Sequence, residues 1–197
     1  MNRQLPIALA VIGLLTSSCA RSPEKQVYTL REPANRTSPA NLKPASQTMA
    51  ILSLTIPESV DRQKMVTRSA GSARLEISDT HRWAEPLTAE IATAIADEIE
   101  LERPGTLVTT PGQVSTAQHP DHQLDIDITR FEGALGDGVD VEAIWTIRDS
   151  LDKQEQHRHS RIHEKSNEAS HEALASAYAR ALRRLAHQMI ASLEAIK

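Results

Sequence analysis

Apolar residues recur along the chain with two distinct periods. Leu52, Leu54 and Ile56 alternate with Ser53 and Thr55, which predicts a strand with one buried face, ended by Pro57. Val27, Tyr28, Thr29 and Leu30 form a shorter run of the same kind. Residues 64–67 and 73–78 read as two brief strands around a turn at Gly71. Leu124, Ile126 and Ile128 alternate with Asp125 and Asp127. After the turn signal Gly136-Asp137-Gly138, Val139, Val141, Ala143, Trp145 and Ile147 repeat the pattern. Residues 154–162 predict a polar strand. Elsewhere the period lengthens. Trp83, Leu87, Ile91, Ile95 and Ile99 recur every fourth residue and predict a helix, with Asp79 or Thr80 as its cap, Pro86 in its first turn and Pro104-Gly105 as its stop. Leu174, Tyr178, Leu182, Leu185, Met189, Leu193 and Ile196 step by three or four, the stripe of a long final helix. These elements predict an α+β fold: a mainly antiparallel sheet with two long amphipathic helices packed on one face.

Composition narrows what such a fold does. The 197 residues carry a net charge of −4, so no basic excess exists to displace the counterions of a nucleic acid, and none is expected as a partner. Two Trp, two Tyr and one Phe are too few for a base-stacking platform or an aromatic cage. A single cysteine excludes an intrachain disulfide and a thiolate cluster. No apolar run reaches the roughly 20 residues of a membrane-spanning helix. No internal repeat is visible.

The start of the chain offers another route to a membrane. Arg3 precedes an almost wholly apolar stretch over residues 5–15, and Thr16-Ser17-Ser18-Cys19 follows. This is the layout of a secretory signal with small residues at its cleavage point. The only cysteine falls directly after those small residues, and the segment resembles a bacterial lipobox, although Thr16 stands where Leu is more usual. The expectation is a signal peptide over residues 1–18, lipidation of Cys19, and a lipidated tether over residues 19–26. A domain over residues 27–197 follows, carrying a Pro-rich loop over residues 31–48. Two or more acyl chains anchor a protein stably where one does not, since each buried methylene contributes about 0.8 kcal/mol. Ala20 rather than Asp after the cysteine points to the outer membrane, on its periplasmic face.

Candidate chemistry is sparse. His157, His159 and His163 share parity, so a strand would place them on one face, as a metal pair requires. Arg158, Arg161 and Lys165 surround them and disfavour a further cation, which favours a polar edge strand that discourages pairing with other sheets. Asp125 and Asp127 read as the wet side of their strand. His119, Asp121 and His122 lie beside Pro120 without a recognised spacing. Trp83 and Trp145 read as core residues, Arg62 and Arg68 as members of surface ion pairs. No nucleophile elbow, phosphate-cradling loop or zinc-protease His pair occurs, so no catalytic residue, cofactor or metal is expected and the chain is read as a non-enzyme.

Several short elements recur in a shared order. The lipobox at Cys19 is followed by Val27-Tyr28-Thr29-Leu30, a Pro-rich gap, Leu54-Thr55-Ile56-Pro57 and Asp61-Arg62. Met65-Val66-Thr67-Arg68, Trp83-Ala84-Glu85-Pro86-Leu87, residues 124–131 with Glu132-Gly133, and Trp145 come next. In this order the chain resembles the PqiC-type family of ABC-type transport auxiliary lipoproteins over nearly all of residues 27–197. The His-rich stretch lies outside the shared pattern. The resemblance implies a non-enzymatic outer-membrane lipoprotein that partners a periplasm-spanning MCE-domain protein (PqiB-like) in intermembrane lipid transport and envelope integrity. It also implies a ring-forming homo-oligomer. A solitary lipoprotein holding a small apolar ligand is the alternative. The mixed polar and apolar strand edge over residues 64–78 is the candidate docking face.

Overall fold

A computed structural model describes residues 24–31, 45–69, 71–113 and 119–194. The proposed signal peptide, Cys19, the start of the tether, most of the Pro-rich loop and Ile196 lie outside the described residues. The elements run β1 (Gln26–Tyr28), β2 (Gln47–Thr55), β3 (Lys64–Arg68), β4 (Leu75–Trp83), α1 (Leu87–Glu102), β5 (Thr106–Thr109), β6 (His122–Ala134), β7 (Gly138–Asp149), β8 (Glu155–Lys165) and α2 (His171–Glu194). Gln26, placed in the tether by sequence, is the first residue of β1.

The class is mixed α+β, with two sheets where one was expected. β1-β4-β3 forms a three-stranded sheet and β5-β2-β6-β7-β8 a five-stranded one. Antiparallel pairing holds along β3–β4, β6–β7 and β7–β8, but β1–β4, β2–β5 and β2–β6 are parallel. The expected antiparallel character therefore holds along the long β6–β7–β8 meander and in β3–β4, while β1, β2 and β5 join by parallel pairing. α1 carries the chain across before β5 returns beside β2, and a crossover of that kind delivers a parallel strand.

One face of the large sheet is apolar. Leu124, Ile126, Ile128, Val141, Ala143, Trp145 and Ile147 are buried, while Asp125, Asp127, Ile144 and Thr146 occupy the other parity. α1 packs on β2 and β5, α2 packs on β7 and β8, and the helices pack on each other. The predicted stripes line these contacts: Leu87, Ile91, Ile95 and Ile99 in α1, and Leu174, Tyr178, Leu182, Leu185, Met189 and Leu193 in α2. The small sheet joins through Tyr178, whose ring stacks on Phe131 of β6 and meets Trp83 of β4 edge-on.

Two elements differ from the sequence reading. Trp83 ends β4 instead of opening α1. Its backbone is tied into the sheet, pairing with Tyr28 and donating to the Gln63 carbonyl at 2.8 Å. Pro86 also forces Glu85 out of helical geometry, so the helix starts at Leu87, and neither Asp79 nor Thr80 caps it. Leu52 is not a core residue. The β2–β6 register slips between Ile51 and Ser53, and the extra residue turns outward at 49% exposure, while Met49 and Ile51 fill the core instead. β5, unmarked by any sequence pattern, completes the sheet edge beside β2.

Candidate functional site

Three surfaces carry the polar chemistry. The first lies directly after β1. Leu30 is buried directly after β1, and the buried carboxylate of Glu90 in the first turn of α1 receives the Leu30 N–H at 3.0 Å and the Thr29 hydroxyl at 2.9 Å. Arg31 pairs with Asp97 one face along the same helix, Nε to Oδ2 at 2.9 Å. The chain is thus fastened to α1 directly after β1.

The second is the outer face of the large sheet, where carboxylates and cations alternate across strands. Asp125 accepts from Ser53 Oγ at 2.6 Å and from Arg148 Nη1 at 2.6 Å, and Asp127 accepts from Thr55 Oγ1 at 2.5 Å. Both aspartates lie on the solvent side of β6, as expected. β8 is an edge strand, and its histidines do not converge on one point. His157 Nδ1 meets Thr146 Oγ1 at 2.8 Å, His159 Nε2 lies 3.7 Å from Glu142 Oε2, and His163 Nδ1 lies 2.9 Å from Asp140 Oδ1. Thr146 and Asp140 of β7 lie directly opposite His157 and His163, whereas His159 faces Ile144 and reaches Glu142 diagonally, so each takes its own partner.

The third is the junction of the sheets. Arg68 of β3 binds Glu132 of β6 through two nitrogens, Nε at 3.0 Å and Nη2 at 2.5 Å, and Arg130 adds a third donor at 3.0 Å. Burial alone would raise the Glu132 pKa, but the hydrogen bonds from Arg68 and Arg130 outweigh it and hold the carboxyl below its ordinary value. Arg68 therefore bridges two sheets. Arg62, the other expected ion-pair member, donates instead to the Glu58 carbonyl at 3.4 Å. β3, part of the expected docking edge, buries Met65, Val66 and Thr67 in succession, and Ile77 of β4 carries the exposed apolar surface there.

His119 and Asp121 line an open cleft of about 560 Å³ together with Arg148, Asp149, Lys153 and Glu155, while His122 is buried beside it. Asp121 and His122 have structural roles. Asp121 accepts the Thr48 N–H at 2.7 Å and hydroxyl at 2.9 Å, and His122 is buried with Nδ1 3.5 Å from Asp149. Backbone N–H donation from Asp152 holds the Asp149 pKa below its usual value, against the opposing effect of burial.

Sequence reasoning missed one cluster. Glu98 and Glu102, one turn apart on α1, converge with His187 of α2, all three ligand atoms lying within 4.8 Å of one another. His187 Nε2 is 2.9 Å from Glu98 and 3.8 Å from Glu102. These are metal-binding types, but Arg183 Nε, 3.9 Å from Glu98, already offsets its charge, and the group clasps the helices together. Only the spacing of Glu98 and Glu102 was visible beforehand; the histidine arrives from the far end of the chain.

No curated protein matches the sequence. The family model described as ABC-type transport auxiliary lipoprotein component matches residues 28–190. A crystal structure of an uncharacterized protein aligns with TM-score 0.68 at 14% identity, covering 87% of this chain and 99% of its own. A Xanthomonas campestris protein of family DUF330 aligns with TM-score 0.58 at 18% identity, covering 84% and 91% respectively. At such identities these two structures establish a shared fold.

Proposed function

Since the chain belongs to the family of ABC-type transport auxiliary lipoprotein components, we propose that it is a PqiC-type lipoprotein of the outer membrane, facing the periplasm. There it docks a periplasm-spanning MCE-domain protein in intermembrane lipid transport and supports envelope integrity. The family match over residues 28–190, following a lipobox at Cys19, carries the reading. The family is one of transport components rather than enzymes, and among the described residues no helix is long and apolar enough to cross a membrane.

In this reading Cys19 holds the acyl chains, the tether gives reach, and the domain works by contact. Repetition of the domain around an axis would multiply weak contacts through effective concentration. The outer face of the large sheet, rich in paired charges, offers polar docking groups. The cleft beside β6 is lined by charged side chains, which suits a polar contact better than an apolar ligand.

The test is capture of the full chain from membranes of its own bacterium. Co-purification of an MCE-domain protein, together with loss of the membrane fraction in Cys19→Ala, is the expected outcome. A Cys19→Ala variant that stays membrane-bound after a high-salt wash would remove the anchor. A solitary monomer carrying bound lipid in native mass spectrometry would replace docking with ligand carriage, whereas a defined ring would support the assembly.

A further inference from the structure

Three rings form a column where the small sheet meets the start of α2. Tyr28 ends β1, His81 lies on β4, and His171 is the first residue of α2. The two imidazoles stack face to face, with centroids 3.7 Å apart and planes 6° from parallel, and the Tyr28 ring continues the column 5.7 Å from His81. Tyr28 Oη donates its proton to Gln26 Oε1 at 2.6 Å and lies 2.9 Å from His81 Nδ1. With the phenol proton given to Gln26, the contact to His81 is made by an Nδ1–H that donates to the phenol oxygen.

A positive charge is poorly placed here. Ser170 Oγ accepts the Ala173 N–H at 3.1 Å and caps a helix of 24 residues, so His171 sits at the positive end of the helix dipole. The groups facing the column are Gln26 and Tyr28 from β1 and Glu172 from α2, whose charge acts on Tyr28. On β4, Arg82 follows His81 and so points to the opposite face of the strand, and Asp79 is held by Lys64 at 2.7 Å. Among the described residues, neither imidazole hydrogen-bonds a carboxylate.

We propose that the ring column Tyr28–His81–His171 is an acid-sensitive latch that holds β1 against the folded domain. Two protonated rings at this separation repel, so complete protonation requires the stack to open. Burial, and then the neighbouring His81, hold the His171 pKa below the ordinary value of 6.5. The unfolded chain binds that proton more readily than the folded one. The latch is therefore fully formed above pH 6.5 and weakens as the pH falls below it. What opens is small, because β1 is three residues long and pairs with β4 alone. Thr29 and Leu30 stay fastened to Glu90, so acid releases β1 without unfolding the domain.

Hydrogen exchange read by mass spectrometry on the full chain in detergent tests this, after correction for the intrinsic pH dependence of exchange. Between pH 7.5 and pH 5, peptides over residues 24–29 should lose about tenfold in protection while those from β6 and β7 keep theirs. His171→Phe keeps a stacking ring that takes no charge, and should make β1 protection independent of pH. His81→Phe serves the same purpose if the first variant misfolds. Undiminished β1 protection at pH 5, or an equal loss in the phenylalanine variants, would overturn the latch. Neither outcome depends on what the domain docks.

Discussion

Trp145 lies at the middle of β7, fully buried, with its indole N–H donated to Ser160 Oγ on β8 at 2.9 Å. Removing the acceptor leaves a buried donor unmade, so Ser160→Ala should cost about 1–3 kcal/mol, read as a lower denaturant midpoint. Gly133 is set by contact. A Cβ there would meet Tyr178 Oη at 2.9 Å and both Leu174 methyl carbons at 3.0 Å, and the Tyr178 ring is pinned on Phe131. Gly133→Ala should destabilise by about 1–3 kcal/mol through overpacking. Glu132 has a carboxyl whose folded pKa lies below its ordinary value of 4.5, so its contribution is present above that pH and is lost as pH falls through the folded value. Acid titration of unfolding should show the loss below pH 4.5, and Glu132→Gln should flatten it. Trp145 was legible as core because it sits in a strand alternation, and Trp83 is buried as expected although it ends a strand rather than opening a helix. The partners of His157, His159 and His163 were not, since a cross-strand neighbour depends on register, which one strand alone does not encode.

At the level of elements, periodicity located most strands and both helices, and it failed where backbone irregularity intervenes. β6 buries Leu124, Ile126 and Ile128 and then Phe131 and Gly133, a change of parity made possible by a slip in pairing between Ile128 and Arg130. Thr129 is the extra residue, and its hydroxyl donates to the Glu142 carbonyl at 3.4 Å. Deleting Thr129 would turn Phe131 to solvent and strip Tyr178 of its stacking partner. The variant should lose its near-ultraviolet circular dichroism while a Thr129→Ser control keeps it. The Leu52 bulge misled the sequence reading for the same reason, because an inserted residue breaks the alternation that betrays a strand. At Trp83 the fourfold spacing was accidental, and sheet pairing with β1 overrode it. β5 is only four residues long and one face of it is wet, so it carries too little pattern to be noticed.

Across the whole molecule, what the sequence conveyed was the inventory of parts, and what it withheld was their assembly into two sheets. Parallel pairing leaves no local mark, whereas a hairpin declares itself through its turn, as Gly136-Asp137-Gly138 did for β6 and β7. The anchor belongs to this scale too: with Cys19 replaced by alanine, the domain should keep its fold and its unfolding midpoint while leaving the membrane fraction, because no described core contact involves the tether. The order of pairing has a kinetic consequence. β1 waits for residues 81–83, and β2 waits first for residues 106–109 and then for residues 122–127. A nascent chain emerging from its leading end therefore holds β1 without a neighbour until residues 81–83 appear, and β2 until residues 106–109, past the middle of the chain. Such non-local closure makes for slow folding, and under the proposed function a slow start is an asset, because an exported polypeptide must stay threadable until it has crossed its channel.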